Sequence, residues 1–125
     1  MRIIAVENSM ADLTKLQNLL GDAFPGSQCR AFCDPLLAIK AYFECPPDFT
    51  IFCKNMRIID GFTFARTIRS YDAGFTGVIL AEDESSRQDA DNFFLKYLVK
   101  PVDAAVLKHC YDNIHSEREN KDTYA

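Results

Sequence analysis

Asp48-Phe49-Thr50-Ile51-Phe52-Cys53 is the stretch on which the fold of this chain turns. It is rich in β-branched and aromatic residues, and it is largely apolar at odd and even positions alike. A strand with two apolar faces is buried on both, as happens inside a parallel sheet covered by helices. Cys45-Pro46-Pro47 closes off whatever precedes it, and a loop from Lys54 to Ile59 leads on to Asp60-Gly61.

Upstream, Arg2-Ile3-Ile4-Ala5-Val6 is another short apolar run, closed by Glu7-Asn8-Ser9. Ser9, with Asp12 three residues on, opens a helix that puts Leu13, Leu16, Leu20 and Phe24 on one stripe before Pro25-Gly26 breaks it. Residues 28–33 alternate enough for a second strand. Asp34-Pro35 starts a second helix over about 35–44, with an apolar stripe of Leu36, Ile39 and Phe43.

Downstream, Asp60-Gly61 opens a third helix carrying Phe62, Ala65 and Ile68, and residues 76–81 form a fourth strand. The acidic loop Glu82-Asp83-Glu84 runs to Ser85-Ser86, a cap for a fourth helix reaching about Leu95 with Phe93 and Phe94 on it. Lys96-Tyr97-Leu98-Val99 is a short fifth strand stopped by Lys100-Pro101. Asp103 caps a last helix with Val106, Leu107, Cys110 and Ile114 on one face. Five strands alternating with five helices, joined by connections too long for hairpins, imply an α/β fold with a parallel sheet covered on both faces. In such sheets the functional crevice lies at the carboxyl ends of the strands. That singles out Glu7-Asn8, Cys53, Ala81 and Lys100.

The 125 residues suit one domain, and 48% hydrophobic with 26% charged residues is ordinary for a soluble globular one. Fourteen basic against 18 acidic side chains give a net charge of -4, which speaks against direct nucleic-acid binding by this domain. No run approaches a membrane span and the first 20 residues lack a secretory pattern, so a cytoplasmic, membrane-free protein is expected. Five cysteines without a CxxC, and only His109 and His115 beside them, do not make a zinc site.

On these segments the chain resembles a response-regulator receiver domain, from Met1 to about Ile114. The carriers are Arg2–Asn8, Asp34-Pro35-Leu36, Pro47–Gly61 and Tyr97-Leu98-Val99-Lys100-Pro101-Val102-Asp103. The opening Met-Arg-Ile-Ile-Ala-Val and the closing Tyr-Leu-Val-Lys-Pro-Val are most similar to receivers ahead of LytTR-type DNA-binding domains. The resemblance implies a doubly wound, flavodoxin-like (βα)5 sheet of order 2-1-3-4-5 over residues 1–115, with 116–125 a polar tail or the start of a linker. It also implies a five-part chemistry. Acidic residues after the first strand and an aspartate ending the third hold Mg²⁺, that aspartate takes up a phosphoryl group, a Thr or Ser ends the fourth strand, and a Lys ends the fifth.

Mapped residue by residue, Glu7 and Lys100 keep their roles. Asn8 stands where a carboxylate usually binds the metal, Cys53 stands at the nucleophile and Ala81 at the hydroxyl. One carboxylate facing one ammonium gives little reason to hold a hard dication, so neither Mg²⁺ nor any other cofactor is expected, nor aspartyl phosphorylation. Asp83, two residues past Ala81, is a weak metal candidate at the rim alongside Glu7. A Glu7–Lys100 pair is expected instead. Tyr97 falls at the aromatic position whose rotamer reports activation in receivers, and a static ring is expected here. The reading is a non-enzymatic signalling module acting through protein contacts, as a homodimer or with a DNA-binding domain outside this chain. Its rivals are a redox or electrophile sensor at Cys53, which requires a lowered thiol pKa, and residual phosphotransfer at Glu7 or Asp83.

Overall fold

The computed structural model describes the backbone of residues 1–124 and the side chains of residues 1–116. Five strands and five helices alternate. They are β1 (Arg2–Val6), α1 (Met10–Ala23), β2 (Gln28–Phe32), α2 (Pro35–Glu44), β3 (Phe49–Cys53), α3 (Gly61–Arg69), β4 (Val78–Ala81), α4 (Arg87–Asn92), β5 (Lys96–Val99) and α5 (Ala104–Tyr124). The strands form one sheet of order β2-β1-β3-β4-β5, and every neighbouring pair is parallel. This is the expected doubly wound, flavodoxin-like arrangement. The side chains of the tail beyond Ser116 lie outside the described residues.

Alternation along the strands splits the core in two. Ile3, Ala5, Phe49, Ile51, Cys53, Val78 and Leu80 pack on one face with Leu13, Leu16 and Leu20 of α1 and Leu107, Cys110 and Ile114 of α5. Ile4, Val6, Phe52, Ile79, Ala81 and Tyr97 pack on the other with Ala38 and Tyr42 of α2, Phe64, Ala65 and Ile68 of α3, and Ala90 of α4. Burying each Leu, Ile or Phe on these faces contributes about 1.5–3 kcal/mol relative to leaving it exposed.

The helix starts follow the sequence signals. Ser9 accepts from the Asp12 N–H, Asp34 from Leu36, Asp60 from Thr63 and Asp103 from Val106. Three expectations are corrected. In α2 the buried face is Pro35, Ala38 and Tyr42, whereas Leu36 and Phe43 stand in solvent and Ile39 is only half-buried. The Tyr42 ring packs edge-on against Phe75 while its hydroxyl donates to Asp72 at 2.6 Å, so a polar-tipped residue won the inner face. The fourth helix stops at Asn92 and not near Leu95, and Ser86 makes no side-chain cap bond. Phe94 turns into the left-handed region (φ 56°), and the Leu95 N–H returns to the Ala90 carbonyl, so Phe93 and Phe94 sit in the exit turn. In α5, Val106 lies off the buried face.

Candidate functional site

Backbone hydrogen bonds carry the chain past the ends of the central strands in register. The Glu7 N–H donates to Phe32, Lys54 N–H to Leu80, and Lys100 N–H to Ala81, all to carbonyls. Glu7, Cys53, Ala81 and Lys100 are thereby brought to one end of the sheet. Glu7 is next in the alternation after Ile3 and Ala5, and Cys53 follows Ile51 on the same face. Asp48 lies at the opposite end, where its carboxylate accepts the Arg2 N–H.

The site is built around one ion pair. Lys100 Nζ is 2.7 Å from Glu7 Oε2, and Glu7 is buried, with its other oxygen accepting the Asn8 N–H at 3.1 Å. This is the pairing the sequence led us to expect. Burial pulls the Lys100 ammonium down, but the hydrogen bond and charge of Glu7 outweigh it and leave the pKa raised. The Cys53 thiol is pushed up to about 12, first by burial and then by the charge of Glu7, against the weaker opposing pull of Lys100. Its S–H donates to the Asn55 carbonyl at 3.1 Å. A thiol shifted this way keeps its proton at neutral pH. A sensor at Cys53 needs the opposite shift.

Asn8 spends its side chain on the neighbouring loop, where its Oδ1 accepts the Arg57 N–H at 3.2 Å. Ala81 is a buried methyl group with nothing to donate. Asp83 does not turn inward. It is exposed, and Ser85 caps its carboxylate through both N–H and hydroxyl, which holds its pKa low. Glu82 comes closer, with Oε1 3.6 Å from Lys100 Nζ. Sequence reasoning gave Glu82 no role, although the acidic run after the fourth strand was its signal. Tyr97 is buried, with its hydroxyl donating to the Asp83 carbonyl and the Arg87 guanidinium 4.9 Å over its ring. These contacts engage both the hydroxyl and the face of the ring. His109 and His115 are exposed on α5, away from the strand ends.

The chain matches no protein-family model and no curated protein. Solved structures match it over nearly their whole length. A response-regulator receiver domain from Clostridium thermocellum superposes with a TM-score of 0.81 at 18% identity, over 94% of this chain and 96% of that one. The chemotaxis response regulator CheY4 of Vibrio cholerae gives 0.77 at 22%, over 90% and 97%. This chain has the receiver-domain fold. The receiver domain of a sensor histidine kinase from Pseudomonas aeruginosa, with a TM-score of 0.77 at 19% identity over 90% and 94%, has a magnesium ion coordinated in its active-site cleft. Glu7 is the one buried carboxylate at the corresponding end of this sheet and is already neutralised by Lys100, and among the described residues no three His, Cys, Asp or Glu side chains are grouped to hold a metal.

Proposed function

We propose that the chain is a receiver-like module of two-component signalling, of the LytTR-associated type, that works without aspartyl phosphorylation and passes its signal through protein contacts. The observation that carries this reading is the 2.7 Å Glu7–Lys100 pair closed beside a protonated Cys53. The lysine that would neutralise a phosphoryl group is already satisfied. A thiol in place of the carboxylate forms no acyl phosphate, and Ala81 has no hydroxyl for the product. The partner is a second copy of the chain or a DNA-binding domain outside it, and the net charge of -4 favours a protein surface over nucleic acid. Phe94, 80% exposed on a groove of about 910 Å³ between α4, β5 and α5, is the apolar anchor on the face that would make such contacts.

The test is an amide NMR titration with Mg²⁺, then beryllofluoride and acetyl phosphate, with intact mass at the end. An unchanged spectrum and mass are expected for the natural sequence. The doubly substituted Asn8→Asp/Cys53→Asp protein, which restores two carboxylates, is expected to respond to Mg²⁺. Specific shifts at Glu7 and Lys100 in the natural sequence, or a gain of one phosphoryl mass, would overturn the reading.

A further inference from the structure

The Glu7–Lys100 pair lines a cleft of about 630 Å³ together with residues of α1 and of the β5–α5 connection. On α1, Asp12, Leu16 and Leu19 succeed one another at the i, i+4, i+7 spacing of a single helix face. Asp22 extends that wall, about 15 Å from Asp12 along the axis at 1.5 Å per residue. Val102 lies opposite. Volume and lining have the character of a small-molecule site, in which apolar side chains stand beside a few polar groups.

The charges decide what fits. Four carboxylates (Glu7, Asp12, Asp22, Glu82) and two ammoniums (Lys15, Lys100) line the cleft, a balance of -2. Glu7 and Lys100 cancel each other at 2.7 Å. Glu82 is not consumed in the same way. It forms a looser ion pair with Lys100 at 3.6 Å, longer than a hydrogen bond, and its side chain is 68% exposed, which leaves its carboxylate room to accept from a second cation. We propose that this cleft binds a small organic cation with an apolar body. The ammonium sits at Glu82 and the body lies on Leu16, Leu19 and Val102. An anion of the same shape is repelled by the carboxylates. The inference stands on the shape and charge of the cleft and not on the absence of phosphotransfer.

Three probes of one shape test it: 2-(2-naphthyl)ethylamine, the corresponding alcohol and the corresponding carboxylate, titrated at low salt into the whole chain and followed by amide NMR. Saturable shifts with the amine at Leu16, Leu19 and Val102 are expected, with the alcohol weaker and the carboxylate weakest. Glu82→Lys, at an exposed position that leaves the fold intact, should weaken the amine about tenfold. Val102→Trp should fill the cleft and abolish the shifts while the spectrum stays dispersed. Equal affinity for all three probes would overturn the proposal, and so would indifference to Glu82→Lys. Shifts confined to the Phe94 groove, or no saturation at millimolar probe, would overturn it as well. A response to Mg²⁺ in the earlier titration would sink the phosphorylation-independent reading and leave this one standing.

Discussion

At Cys53 a thiol stands buried at the end of β3, where burial would cost a carboxylate more than it costs a neutral thiol. Burial first, and then Glu7, keep the proton on sulfur against the weaker pull of Lys100. With a pKa of about 12 the thiolate fraction at pH 7 is on the order of 10⁻⁵, so alkylation by iodoacetamide is expected to be slow in the folded protein. The same shift bears on stability. The folded state holds this proton more tightly than the unfolded state, whose thiol has the ordinary value of 9.0. The stabilisation is therefore complete below pH 9 and is lost as pH rises towards 12; the raised pKa of Lys100 acts in the same direction above 10.5. Urea midpoints measured at pH 8 and pH 10.5 should fall with pH in the natural sequence and fall less in Cys53→Ala. The Glu7–Lys100 pair was legible from strand ends alone. A neutral thiol at Cys53 was the plainer expectation, but the size of its shift was not legible, because it is set first by how deeply the fold buries the sulfur.

At the scale of elements, the β3–α3 connection holds the tightest steric constraints. A Cβ on Gly61 would stand 2.7 Å from the Cys53 carbonyl and 3.0 Å from Lys54 Cα, both backbone atoms that cannot yield. Gly61→Ala is therefore expected to destabilise by about 1–3 kcal/mol in urea unfolding. Three residues earlier, Ile58 is a β-branched residue at φ 75° and 67% exposed. The left-handed region costs such a residue about 1–2 kcal/mol and its side chain gains little from burial. Ile58→Gly should raise the thermal midpoint by a few degrees, on the order of 1 kcal/mol. The sequence marks a loop over these residues and carries no sign of the strain at Ile58. The helix misreadings share one cause. In α2 the stripe was read from hydrophobicity, whereas the sheet and Phe75 selected Ala38 and Tyr42. In α4 nothing local marked an end at Asn92, because the stop comes from the Leu95 N–H returning to Ala90 to align β5.

For the whole molecule, the order β2-β1-β3-β4-β5 puts β3 in the middle between β1 and β4, with helices over both faces. Ile3, Ile4, Ala5 and Val6, together with Ile51 and Phe52, have no exposed surface. Their amides should exchange with solvent only through global unfolding. Those of β2 and β5, the two edges, should exchange through smaller openings. Native-state hydrogen exchange read residue by residue checks this, and equal protection across all five strands would contradict it. The order also creates the cleft beside α1. Residues from α1 and from the end of β5, separated by most of the chain, meet there because β1 lies between β2 and β3 and the helices after β1 and β5 share one face.

The sequence by itself determined the alternation of strands and helices, the parallel sheet and the identity of the residues at its functional end. These depend on local periodicity, on caps such as Asp34 and Asp60, and on breakers such as Pro46-Pro47, all of which act within a few residues. Only the tertiary structure decided that Glu7 and Lys100 meet at 2.7 Å, that Asn8 is spent on the Arg57 N–H, and that Glu82, not Asp83, approaches the lysine. Those contacts join residues from different strands and loops. Their distances follow from how the sheet and its two helical layers pack, which no single stretch of the chain encodes.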